Sequence, residues 1–534
     1  IGYHAFMVRS SLVEIDVPDN VTELDSEVFR NCTSLKKAKI GEVITIVETG
    51  LFNGCYSLGE VTFDGEITEI KSMAFANCLS LLSFTIPASV TKLEDKAFQN
   101  ALRLVEVYNL SALKPNVWTG LNDNTVMHTD LSEPSIIDRR ADGFTFCTCK
   151  DLIYPRDEGP FLLDYTGSAE KLVLPADYEG NNYKIFRYAL AFNPQLKSVT
   201  ISAGVEAIRD EILFGCNRVG ILTVDSENAY YTSKNNCVIS VADSKFVLGC
   251  RMSVIPNDGS VTTIGSNVFC HNPDILQSLV KIPASVTRVE RCAFDGCTGI
   301  MRTAENHVVY VDKWAYAFDY DDRKNPLDLE LEAGTVGICD FAFSTLAYAN
   351  SNMSTGAFTG YSIGSVKFNA ELKYVGDSAF YGCSNMKAIT FNDGLLRIDS
   401  SAFDQCTKLE EIVIPDSVQE IGTSAFSYCS ALEYVKLPEG LKEIKHNMFN
   451  RCTSLKAIVI PSGVNKVTYW AFKDTSTTFV VYYGGSSSDD WKGISVDSDS
   501  NTAFKNATRY YYSETAQEGD YWHYGDDGKP TTEY

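Results

Sequence analysis

Ser424-Ala425-Phe426-Ser427-Tyr428-Cys429-Ser430-Ala431-Leu432-Glu433-Tyr434-Val435-Lys436-Leu437-Pro438 is one copy of a pattern that returns every 23 residues between 375 and 472. Its phenylalanine recurs as Phe380, Phe403, Phe426, Phe449 and Phe472, and its cysteine as Cys383, Cys406, Cys429 and Cys452. Met386, Leu409, Leu432 and Leu455 follow, then a pair at alternate positions (Ile389/Phe391, Ile412/Ile414, Val435/Leu437, Ile458/Ile460). Pro415, Pro438 and Pro461 close the unit. A fixed period of this length marks a stacked solenoid, in which each copy is one coil that can bury its apolar side only against its neighbours.

Each coil divides by its local pattern. The L-x-x-I-x-I part alternates with period two, is β-branched and stops at proline, so it reads as a short strand. Val418 to Ile421 reads as a second extended piece. A-F-x-x-C is too short for a real helix and predicts a single turn of α or 3₁₀. Stacking places like side chains about 4.7–4.9 Å apart, in ladders of Phe, Cys, Leu and Ile.

Working outward, the same step runs through Phe6, Phe29, Phe52, Phe75 and Phe98, with Cys32, Cys55 and Cys78, giving a first repeat block at 1–110. Residues 111–184 lose the pattern, although Phe144, Cys147 and Lys150 keep its spacing, and read as degenerate repeats or an insertion. A second block at 185–480 carries hairpin insertions at 225–256 and 303–335 and a loop at 344–365. Residues 481–534 form an acidic, aromatic cap and tail. In the first insertion a turn at Asp243-Ser244 sets Cys237 opposite Cys250, Ile239 opposite Leu248 and Val241 opposite Phe246. A pair so placed has close Cα atoms, which makes Cys237/Cys250 a candidate disulfide.

The chain has 534 residues, 45% of them apolar, and a net charge of −23. That excludes a disordered class and disfavours nucleic acid and anionic lipid as partners. No run of apolar residues is long enough to span a membrane, and none inserts. Ile1-Gly2-Tyr3-His4-Ala5-Phe6 matches Ile421-Gly422-Thr423-Ser424-Ala425-Phe426 in phase, so the sequence opens in mid-repeat and an export signal is expected to have stood upstream.

Chemistry is sparse. Of 16 cysteines, nine sit on the ladder, where side chains point the same way and stay beyond disulfide range, so they read as buried thiols. Cys147-Thr148-Cys149 lacks a second ligand pair for zinc. The six histidines fall in unrelated segments, none in a nucleophile or metal motif, so neither a catalytic residue nor a cofactor is expected. Asp497-Ser498-Asp499-Ser500-Asn501 begins like a calcium loop, but Thr502 and Thr508 stand where glycine and glutamate are needed, and it reads as a polar turn.

These units, above all Cys429-Ser430-Ala431-Leu432 with Val435-Lys436-Leu437-Pro438 and Cys452-Thr453-Ser454-Leu455 with Ile458-Val459-Ile460-Pro461, resemble the BspA-like class of bacterial leucine-rich repeats. The tail Tyr510-Tyr511-Tyr512-Ser513 with Tyr521-Trp522-His523-Tyr524 is similar to endings seen in that family. The resemblance implies a right-handed leucine-rich-repeat solenoid with short parallel strands and a C-terminal cap. It also implies an exported surface protein of a host-associated microbe, and for some members adhesion to host or microbial proteins. A non-enzymatic, monomeric extracellular binding protein is therefore expected, with a glycan-binding surface protein as the alternative class.

Solenoids bind along their strand face. Its outward positions supply the candidate residues Lys36, Lys37, Lys39, Glu60, Thr62, Tyr108, Glu410, Glu411, Glu433, Tyr434 and Lys436. Leu82 and Val105 occupy outward positions in the same series. Tyr521, Trp522 and Tyr524 are candidates for stacking on sugar, or else cover the last coil.

Overall fold

A computed structural model describes residues 1–115, 119–121, 125–150, 158–269, 272–275, 280–320, 322, 324–344, 363–497, 501–515, 517 and 519–533. Most of the expected loop at 344–365 and most of the calcium-like turn lie outside them. The chain forms two compact units, Ile1–Ser233 and Lys234–Tyr534. Their boundary falls within 225–256, expected to be one insertion, so the units do not follow the four blocks drawn from the repeat.

In the first unit, strands Glu14–Val17, Lys37–Ile40 and Glu60–Phe63 pair in parallel, with Glu14, Lys37 and Glu60 in register one period apart. Ser83–Ile86, Glu106–Asn109 and Val126–His128 form a second parallel set. Two-residue strands, Ile46–Val47, Glu69–Ile70 and Lys92–Leu93, line another side of the coil. The second unit repeats the design with Glu411–Val413, Tyr434–Lys436, Ala457–Ile460, Val480–Tyr483 and Thr508–Tyr512 in one parallel row.

The Phe ladder lies inside the coils. Phe29 to Phe52 is 5.5 Å between ring centroids, Phe403 to Phe426 5.5 Å and Phe426 to Phe449 5.9 Å, all near parallel and fully buried. These spacings exceed the expected ~4.8 Å because parallel rings slide into offset stacking, which their quadrupoles prefer to a face-to-face sandwich.

The A-F-x-x-C segment is not a helical turn. Residues two before and two after the Phe have left-handed backbone, as at Ser424 (φ +57°) and Tyr428 (φ +56°). The amides of Ser424, Phe426 and Tyr428 therefore point along the stack, donating to His446, Met448 and Asn450 at 2.9, 3.1 and 2.7 Å. A helix would have used those donors internally; here they form a further line of coil-to-coil bonds. Among the described residues α-helix is confined to Ser488–Lys492 and Thr502–Asn506.

The ladder cysteines do more than fill space. Most place Sγ against a main-chain carbonyl of the preceding coil: Cys55 to Phe29 at 3.0 Å, Cys429 to Phe403 at 3.3 Å, Cys452 to Phe426 at 3.2 Å. Burial raises these thiols well above their usual range, which keeps the proton on sulfur for donation.

One half-buried carboxyl on this turn stores a pH dependence. Burial pushes Asp404 up to about 7, against the pull of the Gln405 amide, and its Oδ1 has no partner. Because the folded pKa exceeds the unfolded one, the stabilising contribution is present below about pH 4 and lost as pH rises through about 7. The carboxyl is partly open to water, so Asp404→Asn is expected to add only about 1–2 kcal/mol at pH 8 and nothing at pH 4. Urea melts at the two pH values measure this.

The insertions depart from the coil. Phe144–Lys150 is an antiparallel strand between Ile137–Arg139 and Glu158–Tyr165, not a degenerate repeat. Glu158–Tyr165 and Lys171–Val173 belong to different sheets, so the Gly-Ser segment between them is not a hairpin turn. Cys147 is disulfide-bonded. Cys237–Ser240 does pair with Lys245–Leu248, but a bulge sets Val238 opposite Leu248 and Ile239 opposite Phe246. Val241 consequently points to solvent, 58% exposed. The candidate disulfide is not formed: Cys237 and Cys250 are buried free thiols, the first 3.5 Å from the Val254 carbonyl, the second 3.7 Å from Ser253 Oγ.

Candidate binding cleft

Three side chains of the first unit explain how its strand face becomes a cleft. Leu82 and Val105 stand on outward positions, yet both are buried, packed with Ile137, Cys147, Phe161 and Leu163 of the antiparallel insertion and with Phe186 just after it. Arg103 stands where earlier coils have Ser57 and Ser80. It is 1% exposed, and its guanidinium donates to the Leu163 carbonyl and to Asp164 at 2.9 Å.

A buried polar group secures the same junction. Glu106 accepts from Ser135 Oγ at 2.7 Å and the Ile136 amide at 3.0 Å. His128 lies 3.3 Å from Glu106 and 3.3 Å from Glu133, under the Tyr108 ring at 4.5 Å. The amide and hydroxyl of Thr129, then His128, push Glu133 down to about 2. Ser135 donates to a carboxylate and not to the imidazole, so this histidine does not activate it as a nucleophile.

Between the uncovered strand face and the insertion lies a cleft of about 1060 Å³. Lys36, Lys37, Glu60 and Tyr108, candidates from the strand face, line one side of it. Arg139, Arg140, Asp164 and Tyr165, which the repeat does not pick out, line the other side together with Phe192, Asn193 and Gln195. Lys37 pairs with Glu60 at 3.0 Å, Asp164 with Arg103, and Arg140 with Asp142 at 3.4 Å. Lys36 and Arg139 are both exposed. The lining thus carries four cations against two carboxylates, on a chain of net charge −23. Neither histidine nor cysteine lines it, and both its carboxylates already hold a cation. Such a surface can grip, orient and discriminate. Among the described residues no cluster of His, Cys, Asp or Glu is arranged to hold a metal.

The other candidate residues lie elsewhere. Lys39 is drawn to Asp64 at 2.7 Å, and Thr62 is exposed beyond the cleft lining. In the second unit Glu410 is exposed and Glu433 pairs with Lys456 at 2.7 Å. Glu411, Tyr434 and Lys436 come together under the tail: Lys529 reaches Glu411 at 3.2 Å and the Tyr434 ring at 5.3 Å, and Lys436 lies 5.2 Å from the Tyr524 ring. Trp522 is 1% exposed and donates its indole N–H to the Tyr483 carbonyl at 2.8 Å, so it covers the last coils and offers no ring to sugar. Tyr521 and Tyr524, half-buried, belong to the same cap.

The coil, its ladders and its register are those of one repeat type. The family model for the BspA-type leucine-rich repeat region matches in six copies, over 1–105, 164–301, 239–345 and 351–478, most of the chain. The chain belongs to the BspA-type leucine-rich repeat family. Members of such families hold binding surfaces on a repeated scaffold, and the cleft is where this BspA-type chain departs from simple repetition. Among solved structures, a leucine-rich repeat protein from Bacteroides ovatus is similar at 15% identity over 93% of this chain and 92% of that one, with a TM-score of 0.29. A leucine-rich cell surface protein from Faecalibacterium prausnitzii is similar at 18% identity over 91% and 83%, with a TM-score of 0.23. A Treponema pallidum leucine-rich repeat protein is similar at 23% identity over 34% and 82%, with a TM-score of 0.26. No curated protein matches the chain. Among the described residues no helix is long and apolar enough to cross a membrane.

Proposed function

We propose that this BspA-type protein is a non-catalytic binding protein of the cell exterior, an adhesin that takes a segment of a host or microbial protein into the cleft of its first unit. The cleft carries the reading. It joins regular strand face to an irregular insertion, and its size is at the upper end for small-ligand sites and suits a short peptide segment. Its surplus of cations favours a segment bearing carboxylates. The family resemblance supports the location outside the cell.

The test is a binding screen of the full chain against extracellular matrix and microbial surface proteins, repeated with two cleft variants. Gly59→Trp puts an indole into the lining, where an added Cβ would meet only the Ser80 carbonyl at 3.4 Å. The double change Lys36→Glu with Arg139→Glu reverses the local charge. Each is expected to weaken a bound partner by roughly tenfold or more, with salt weakening the wild-type complex in the same direction. A partner that ignores both variants would sink the cleft as the site.

A further inference from the structure

In the last full coil of the second unit an aromatic residue stands at a left-handed position. The residue two before each ladder Phe has this backbone, and Ser401, Ser424 and Asn447 take it in the three coils before; in the last coil it is Trp470, φ +60°, an aromatic like Phe341 further back. A bulky residue is strained in that conformation, so its presence points to a use. Tyr469 stands beside it, 47% exposed, where the coils before have Ser400, Thr423 and His446.

The two rings and His446 form one near-parallel group. Tyr469 lies 4.5 Å from Trp470 and 5.8 Å from His446, and Lys473 Nζ sits 4.2 Å from the Trp470 centroid. Beside them opens a cavity of about 460 Å³ whose lining adds Asp474 and Asn506 to Tyr469, Trp470 and Lys473. An aromatic surface next to hydrogen-bonding groups of both signs suits a ligand with an apolar face and a rim of hydroxyls.

We propose that this cavity is a glycan subsite, in which the C–H face of a pyranose ring packs on the Tyr469–Trp470 surface and its hydroxyls bond to Asp474 and Asn506. It is separate from the protein-binding cleft and does not depend on it. A peptide would leave the polar rim less fully used.

The experiment titrates the full chain with tetrasaccharides built from glucose, galactose and N-acetylglucosamine, read by tryptophan fluorescence and calorimetry. At least one should bind. Trp470→Ser is expected to weaken that sugar about tenfold or more, while leaving the thermal midpoint unchanged or higher because serine suits the left-handed backbone. Trp470→Phe should retain most of the affinity. Failure of every tetrasaccharide to bind overturns the proposal, as does binding that Trp470→Ser and Tyr469→Ala both leave intact. A lowered midpoint in Trp470→Ser with unchanged sugar affinity also overturns it, making the ring group a brace.

Discussion

Phe426→Ala is expected to destabilise the second unit by about 3–5 kcal/mol, read as a shift in its urea or thermal unfolding. The ring is fully buried between Phe403 at 5.5 Å and Phe449 at 5.9 Å, and Phe426 also gives its carbonyl to the thiol of Cys452. Truncation leaves a void that neighbouring coils cannot close without losing their own amide bonds to the next coil. Stability in a stacked array is a sum of neighbour terms, so amide exchange should rise first in the coils on either side. A loss below about 1 kcal/mol would mean that the ladder is not the core.

Trp522→Ala is expected to cost a similar amount, about 3–5 kcal/mol, but confined to the cap. The indole packs edge-on against Tyr482, Tyr512 and Tyr524 at 5.7, 5.1 and 5.0 Å and satisfies the Tyr483 carbonyl. Its loss should free the tail, break the Lys529 contacts to Glu411 and Tyr434, and expose an edge strand that invites pairing between chains. Limited proteolysis should then cut within 513–533 while the coils before it resist, and light scattering should show self-association. A tail that stays protected would contradict the role given to Trp522.

The core was legible in the sequence because every buried position recurs. Phe, Cys and Leu at fixed offsets leave one way to align the coils, and the parallel register follows it. The turn conformation was not, although its signal lay in the same lines: Asn31, Gly54, Asn77 and Asn100, each two after its Phe, occupy positions that tolerate left-handed backbone, while Tyr428 at the equivalent position obscures the rule. The hairpin register failed by a bulge, which no alternation of apolar residues announces.

The candidate site was half legible. Outward-facing Lys36, Lys37, Glu60 and Tyr108 follow from strand periodicity and do line the cleft. Its other wall comes from 139–168, where the repeat dissolves, and from 191–195, just after it resumes. The available clue was chemical: Leu82 and Val105 on a face that should be wet, and Arg103 replacing a row of serines, call for a cover. On the second unit the same periodicity misleads, because the tail has already taken the face at Glu411, Tyr434 and Lys436.

A protein partner held in the cleft of the first unit would shield its lining from solvent. Hydrogen exchange of the full chain with and without a partner from the screen tests it most directly. Protection is predicted at 36–37, 57–61, 80–85, 139–145, 164–168 and 191–195, segments that line the cleft. A saturated complex with those segments unprotected, and protection on other strands instead, would contradict the account.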